Sequence, residues 1–329
     1  MRDKCEGITT AEEMKKLCKE EHSIIVAHMI EMYKKEILVN KEPVESPTIY
    51  IIGGQNASGK SKLIGELGKV NSNAVSIIID DMKAHHPYRE YVDKRFPEES
   101  EEILHMACFE VFDEVLKTLL REKYDITIER TLGSEAKTRR FVVEPANYGY
   151  SIEMHVTATH EINSLLSSLE RFMYECRLKD EFDSKKTDLK IAPRPISIEH
   201  HDSTYKNICD VIQSAESGKF VDDNGENVYP KVFIWDRTPD RPTKMYETGD
   251  TRYASAKHAM YQGREKDLKR CKSEEEYGFG IRVRNILAEL ESAEPNSTLS
   301  QYKEYCMKFL DEIQSRGRAY VDLDNKKGR

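Results

Sequence analysis

The 329-residue sequence predicts an α/β fold in which helices flank a mainly parallel, five-stranded sheet. Three observations support this prediction: a glycine-rich loop directly after a short apolar strand, further apolar strands along the chain, and amphipathic segments between them. Ligands of such sheets bind at the carboxyl ends of the strands. The polar residues that follow each strand are therefore the candidates for function.

The glycine-rich loop follows residues 48–52, whose β-branched side chains predict a buried strand. From Gly54 to Ser61 its sequence is GQNASGKS, which has the spacing of a phosphate-binding P-loop. The glycines let backbone N–H groups surround a triphosphate, Lys60 can reach the outer phosphates, and the Ser61 hydroxyl can hold Mg²⁺. The predicted ATP-binding residues are Gly54, Gln55, Asn56, Ala57, Ser58, Gly59, Lys60 and Ser61.

Apolar segments recur after residue 47, and longer amphipathic segments separate them. This alternation predicts strands joined by crossover helices. The predicted strands are residues 48–52, 75–79, 125–129, 152–157 and 232–235. The predicted helices between them are residues 60–69, 101–123, 135–147, 161–179 and 199–216.

The two ends of the chain lack this alternation. Thr10 and Glu13 form a candidate capping box that opens one or two amphipathic helices, which end before Pro43. Beyond Asp236 we expect the sheet to end and short helices to follow, at residues 255–262, 281–292 and 300–315. The sequence thus predicts an N-terminal helical segment (1–46), a P-loop domain (47–245) and a helical C-terminal extension (246–329).

Composition narrows the class of protein. Charged residues make up 33% of the chain, and the net charge of −8 argues against a nucleic-acid partner. No apolar run approaches the roughly 18 residues of a membrane span, and the N-terminus lacks the apolar core of a signal peptide. The seven cysteines are an odd number without a C-x-x-C pair, which predicts reduced thiols in a cytoplasmic protein.

Polar residues follow two of the predicted strands. Asp80 and Asp81 come after the second strand, where an aspartate can orient a hydroxyl nucleophile or accept its proton. Paired acids at a helix start are equally typical of caps, so the residues alone leave both interpretations open. Glu129 and Thr131 follow the third strand and predict further polar contacts in the same cleft.

Five segments, in order along the chain, resemble the landmarks of one family. They are GGQNASGKS, IIIDDMKAHHP, ITIERT, LERFMYE and APRPISIEHHD. Over residues 45–237 the chain is similar to the zeta toxins, the toxin half of the epsilon/zeta toxin–antitoxin systems. Those proteins are P-loop kinases that phosphorylate UDP-N-acetylglucosamine. The resemblance therefore implies a P-loop kinase-like fold, ATP and Mg²⁺ as cofactors, a nucleotide-sugar substrate and an antitoxin partner.

The resemblance also assigns roles to individual residues. In the family, an aspartate six residues before a His-Pro pair acts on the sugar hydroxyl; the match is Asp80, and Asp81 falls where a small hydroxyl residue is usual. The residues implied as catalytic are Asp80, Lys60, Arg171 and Arg194, the two arginines being those that would bind the transferring phosphates. The residues implied as substrate-binding are Glu129, Thr131 and Asp113.

Departures from the family pattern bear mainly on the substrate. Ile79 and Arg130 stand where the family has glycines, Gly133 stands where it has an arginine, and residues 178–187 are inserted. The kinase chemistry therefore transfers more directly than the substrate does. The alternatives are a kinase for another metabolite, such as a dinucleotide, or for a polynucleotide end, and a P-loop switch that binds or hydrolyses a nucleotide and acts through a protein partner.

Overall fold

The computed structural model describes residues 2–5, 7–96, 99–185, 193, 196–238, 240–272 and 278–327. The strands are β1 (Thr48–Gly53), β2 (Val75–Ile77), β3 (Ile126–Arg130), β4 (Ser151–Thr157), β5 (Phe220–Val221), β6 (Asn227–Val228), β7 (Lys231–Asp236) and β8 (Thr243–Glu247). The α-helices are α1 (Ala11–Glu20), α2 (His22–Ile37), α3 (Lys60–Val70), α4 (Ile79–Met82), α5 (Arg89–Arg95), α6 (Ser100–His105), α7 (Cys108–Glu122), α8 (Glu135–Asn147), α9 (Glu161–Ser184), α10 (Ile198–Glu216), α11 (Ala256–Cys271), α12 (Phe279–Glu291), α13 (Thr298–Gln301) and α14 (Lys303–Lys327).

The central sheet has six strands in the order β2-β3-β1-β4-β7-β8, and all of its pairings except β7 with β8 are parallel. β1 lies between β3 and β4, where Ile51 pairs with Ile128 on one side and with Met154 on the other. All three side chains are completely buried, as is typical of a parallel sheet covered by helices on both faces. The loop that follows β1 therefore begins near the middle of the sheet edge.

The predicted α/β class and mainly parallel sheet are confirmed, but two predictions about the strands are wrong. The sheet does not end at Asp236, because β8 pairs antiparallel with β7 as a sixth strand. The residues of β8 are partly exposed, and their sequence, TKMYE, lacks the apolar run that indicates a buried strand. β2 ends at Ile77, because the chain turns into the short helix α4. Asp80 and Asp81 consequently lie in a helical turn.

Two apolar clusters form the interior of the part of the chain that the structure describes. The larger one surrounds the sheet and includes Met29 from α2 and Met260 from α11, so it takes in residues from both ends of the chain. The second joins α9 to α12, α13 and α14, with Phe172 and Leu310 among its buried members. α9 therefore carries the C-terminal helices on one face. The division of the chain at residues 46 and 245 stays a prediction.

The remaining global features are the state of the cysteines and the length and apolar character of the helices. All seven cysteines are buried free thiols, and burial raises the pKa of Cys18 and Cys108 to about 12. Among the described residues, no helix has both the length and the apolar character to cross a bilayer.

His86, in the loop after β2, makes the stability of the fold depend on pH. Its side chain is 4% exposed, and its Nδ1 accepts a hydrogen bond from the Tyr88 N–H at 3.2 Å. Burial, and then the charge of His28, lowers the pKa of His86 to about 4. Since an unfolded histidine titrates near 6.5, the unfolded chain binds more protons below that pH. Stability is therefore lost as the pH falls from about 6.5 towards 4.

We expect the wild-type free energy of unfolding to be about 2 kcal/mol lower at pH 5 than at pH 8 through His86 alone. The variant His86→Asn keeps an acceptor near the Nδ1 position but cannot titrate, so its pH-dependent loss should be smaller by that amount. Urea unfolding at both pH values measures the difference, with exposed His258→Asn as the control. An identical pH dependence in wild type and His86→Asn would contradict the assignment.

Candidate active site

The loop after β1 has a conformation that requires glycine at two positions. Gly54 has φ +154° and Gly59 has φ +99°, in a region that other residues rarely adopt. A Cβ at Gly54 would also overlap the hydroxyl oxygens of Ser58 and Thr157. The backbone of the loop therefore closes tightly on itself and leads directly into α3 at Lys60.

Residues at the end of β4 and just beyond it hold this loop in place. The Thr157 hydroxyl donates to Ser58 Oγ at 2.8 Å, and the Thr159 hydroxyl donates to the Ser58 carbonyl at 2.7 Å. Gln55 is completely buried, and its Nε2 donates to the Thr159 carbonyl at 2.8 Å and to Ser164 Oγ at 3.2 Å. The conformation of the loop is thus set by hydrogen bonds to an adjacent strand and helix and not by its own sequence alone.

Lys60 is the principal charge at this position. Its side chain is 7% exposed, and its Nζ donates to the carbonyls of Gly54 and Gln55, each at 3.0 Å. The carboxylate of Glu129, at the end of β3, lies 3.5 Å away. Burial lowers the pKa of Lys60, Glu129 opposes this shift, and the charge of Arg171 adds to it. A buried ammonium that is paired with only one carboxylate, at 3.5 Å, favours the approach of an anion.

The residues present fit a nucleotide with Mg²⁺. The loop supplies backbone N–H groups at the start of an 11-residue helix, where the helix dipole also favours a phosphate. The Ser61 side chain is exposed in the first turn of α3, next to Lys60, where its hydroxyl is available to a cation.

A cavity of about 950 Å³ opens beside Lys60. It brings together Lys60 and Asn56 of the loop with three residues predicted to bind substrate, namely Glu129, Thr131 and Asp113. The remaining lining residues are Phe109, Phe112, Arg130, Leu132, Gly133, Ser134, Ala136, Lys137, Thr138, Arg140, Phe141, His200, Ser203 and Thr204. Strand ends β1 and β3 and helices α7, α8 and α10 therefore enclose one site.

Asp113 and Arg130 occupy the wall of this cavity that is formed by α7 and α8. The Asp113 carboxylate is paired at both oxygens with Arg140, at 3.0 and 2.9 Å. The guanidinium of Arg130 lies against two aromatic rings, 3.8 Å from the centroid of Phe112 and 4.3 Å from that of Phe141. The sequence identified Arg130 only as a departure from the family pattern; its position in the wall depends on rings from two separate helices.

The three other residues predicted to be catalytic have different positions. Arg171, on α9, is about half exposed, 3.8 Å from the Glu175 carboxylate and close enough to Lys60 to influence its pKa. Asp80, on α4, accepts a hydrogen bond from Lys83 at 2.8 Å and does not line the cavity. Arg194 lies outside the described residues.

Sequence reasoning missed Arg237, which follows β7 directly. Its Nη1 donates to the carbonyl of Ala57 at 2.9 Å, and its Nη2 donates to Ser167 Oγ on α9 at 3.0 Å. Ala57 has φ +54°, a backbone conformation that is strained for residues other than glycine. The hydrogen bond from Arg237 therefore stabilises the loop at a strained residue. The signal that could have found it is its place after a strand, where functional residues of parallel sheets concentrate.

A buried hydrogen-bonded chain connects the loop to the C-terminal helix. Ser164, which accepts from Gln55, lies 2.8 Å from His201 Nε2, and His201 Nδ1 lies 3.2 Å from Asp202. Arg316 of α14 donates to both oxygens of Asp202, each at 2.8 Å. Burial lowers the pKa of His201. Because Ser164 and His201 are completely buried, this arrangement supports the loop and does not offer a nucleophile.

A strand, a P-loop and a helix at the middle of a parallel sheet, with a buried lysine beside a large cavity, define a P-loop nucleotide-binding protein of kinase-like fold. A sequence model described as zeta toxin matches residues 31–240. The chain belongs to the zeta toxin family, the toxins of toxin–antitoxin systems, and this prediction is confirmed.

Individual relatives agree with this assignment. Toxin zeta of Streptococcus pyogenes is 25% identical over 278 residues, which cover 82% of this chain and 83% of the relative. Toxin PezT of Streptococcus pneumoniae is 21% identical over 190 residues, covering 57% of this chain and 71% of the relative. A solved chain from the PezAT chromosomal toxin–antitoxin system of that species has a TM-score of 0.56 at 18% identity, covers 88% of this chain and 96% of its own, and supports the fold.

The glycine requirement of the loop gives a test with a matched control. Gly54→Ala should abolish ATP binding, because its Cβ would displace the Ser58 and Thr157 hydroxyls. Gly65→Ala, on α3, meets nothing within 4 Å and should leave ATP binding unchanged while raising the free energy of unfolding by about 0.5–1 kcal/mol. Isothermal titration calorimetry and urea unfolding measure the two effects. Normal ATP binding by Gly54→Ala would show that the loop does not form the phosphate site.

Proposed function

We propose that the protein is an ATP-dependent kinase of zeta-toxin type, which transfers the γ-phosphate to a hydroxyl of UDP-N-acetylglucosamine or a related nucleotide sugar. The observation that carries this proposal is the cavity of about 950 Å³ beside Lys60, which Glu129 and Thr131 line together with P-loop residues. A hydrolysing switch needs room for one water molecule, whereas this cavity has room for an acceptor.

In this reaction the bond from the γ-phosphorus to the bridging oxygen of ATP breaks, and a bond to the acceptor oxygen forms. Mg²⁺–ATP supplies the phosphoryl group and part of the charge neutralisation. Lys60 neutralises the outer phosphates, since its ammonium is already held at the loop by two carbonyls. Arg171 adds a second positive charge from the α9 side, and Arg194 has the same proposed role. Glu129, Thr131 and Asp113 are proposed to bind the acceptor.

Asp80 is the proposed acceptor for the proton of the hydroxyl. Because Asp80 lies on α4 and does not line the cavity, this role requires the acceptor hydroxyl to extend from the cavity towards α4. The carboxylate of Asp80 forms an ion pair with Lys83 at 2.8 Å. Lys83 is 8% exposed and is also paired with Glu101, so it holds Asp80 at a defined place beside α6. Asp81 differs: burial, followed by the charges of Asp80 and Glu36, raises its pKa.

The proposed protein partner is an antitoxin, because one solved relative comes from a toxin–antitoxin system. The proposed compartment is the cytoplasm, since seven buried free thiols are typical of a reducing environment.

Incubation of the protein with Mg²⁺–ATP and a panel of nucleotide sugars tests the proposal. We expect mass spectrometry to detect a product heavier by one phosphoryl group with UDP-N-acetylglucosamine or a close relative. Lys60→Ala should abolish transfer, and Arg171→Ala should lower kcat at least about tenfold, because a group that neutralises transition-state charge is typically worth more than about 1.4 kcal/mol. ATP hydrolysis without a phosphorylated product from any nucleotide sugar would contradict the proposed transfer.

A further prediction distinguishes the two neighbouring aspartates. Successive side chains in a helical turn diverge, so Asp80 and Asp81 should not act on the same atom. Asp80→Asn should remove phosphorylation while ATP still binds, and Asp81→Asn should keep a substantial fraction of the activity. Product formation and ATP binding are measured on both variants. The reverse pattern would assign the proton acceptor to Asp81, whose raised pKa makes it the stronger base.

A further inference from the structure

The guanidinium of Arg130 is a cation in the cavity wall that has no counter-ion in the part of the chain that the structure describes. Among the described residues it forms no ion pair, although Asp113 and Glu129 are nearby. Asp113 is already paired at both oxygens with Arg140, and the carboxylate of Glu129 faces Lys60. The two acids that could have neutralised Arg130 are therefore used by other cations.

The hydrogen-bonding capacity of Arg130 is also mostly unused. Its Nη1 donates to the carbonyl of Glu129 at 3.2 Å, while its buried Nε–H has no partner among the described residues. The rings of Phe112 and Phe141 are nearly perpendicular to each other, at 86°, and both lie against the guanidinium, so they restrict its position from two adjacent sides. Burial lowers the pKa of Arg130 to about 10, which still leaves the side chain charged at pH 7.

A desolvated cation without a counter-ion is unfavourable, and cation–π contacts offset only part of that cost. The free edge of a guanidinium matches the oxygens of a phosphate, to which it can donate two parallel hydrogen bonds. The aromatic rings hold the fork in one orientation before a ligand arrives, which reduces the entropy lost on binding. Arg130 therefore has the properties of a preformed phosphate-binding group.

We propose that Arg130 binds a phosphate group that the acceptor already carries, so that the enzyme selects phosphorylated or diphosphate-containing acceptors. The phosphate bound at Arg130 is separate from the one that is transferred beside Lys60. This inference rests on the proposed phosphoryl transfer for the identity of the cavity as the acceptor site. The diphosphate of a nucleotide sugar and that of a dinucleotide have the same chemistry at this subsite.

Inorganic pyrophosphate is the probe that tests the subsite without any turnover. The P-loop is first saturated with Mg²⁺ and a non-hydrolysable ATP analogue, and pyrophosphate binding is then measured by titration calorimetry. We expect Arg130→Gln to weaken binding at least about tenfold, because a charge-assisted pair of hydrogen bonds is lost. Arg121→Gln removes the same charge from the exposed end of α7, outside the cavity, and should change binding by less than about twofold.

A second variant separates phosphate recognition from a structural role of the cation–π contacts. Arg130→Lys keeps the charge without the planar fork and should retain binding intermediate between wild type and Arg130→Gln. Pyrophosphate should raise the melting temperature of the wild type but not that of Arg130→Gln. If the wild type shows no pyrophosphate binding, or if Arg130→Gln and Arg121→Gln weaken it equally, the inference is overturned.

Acceptor kinetics distinguish this inference from the proposed function. With UDP-N-acetylglucosamine as acceptor, Arg130→Gln should raise KM at least about tenfold and change kcat by less than about threefold, because the proposed contact is to a phosphate that the acceptor keeps and not to the transferred group. Unchanged KM overturns the inference and leaves the proposed kinase intact. Arg130-dependent pyrophosphate binding in a protein that does not phosphorylate UDP-N-acetylglucosamine supports the inference and indicates a different phosphorylated acceptor.

Discussion

The site depends on one constraint, the tight closure of the loop between β1 and α3. The loop requires left-handed backbone at Gly59 and leaves no room for a side chain at Gly54. Hydrogen bonds from Thr157 and Thr159 hold it from the neighbouring strand. Because β1 is paired on both sides, these contacts are made in the most buried part of the sheet. They fix the loop, and the loop carbonyl of Gly54 in turn fixes the position of the Lys60 side chain.

α9 connects this loop to the rest of the molecule. On one side it presents Ser164 and Ser167, which contact Gln55 and Arg237, and on the other it packs against the C-terminal helices. Arg282 of α12 also donates to Ser167. The C-terminal helices therefore belong to the support of the site, since a shift of α9 would move contacts of the loop and the charge of Arg171 together.

Among the described residues that line the cavity, several of the charged side chains have an ion-pair partner within the protein, and Arg130 does not. Lys60 faces Glu129, and Arg140 neutralises Asp113, so both acids implied as substrate contacts are partly engaged within the protein. Arg130 has no such partner among the described residues and is oriented by two rings. Arg130 adds a positive charge to the wall of the cavity without altering the P-loop.

The sequence by itself determined the features with local physical causes. The P-loop, its strand and the helix at residues 135–147 were predictable because backbone geometry and apolar periodicity leave a direct pattern in neighbouring residues. The fold class followed from the alternation of such patterns.

The sixth strand was not predicted because β8 lies at the sheet edge, where pairing with β7 and not an apolar run makes it a strand. The helical turn that places Asp80 beside Lys83 was likewise hidden in an apparently continuous strand. Only the tertiary structure decided that Arg237 donates a hydrogen bond to the loop, that Arg140 neutralises Asp113, and that Phe112 and Phe141 contact Arg130. These contacts join residues that are distant in sequence. The identity of a single residue does not indicate which distant residue will lie next to it in the folded protein.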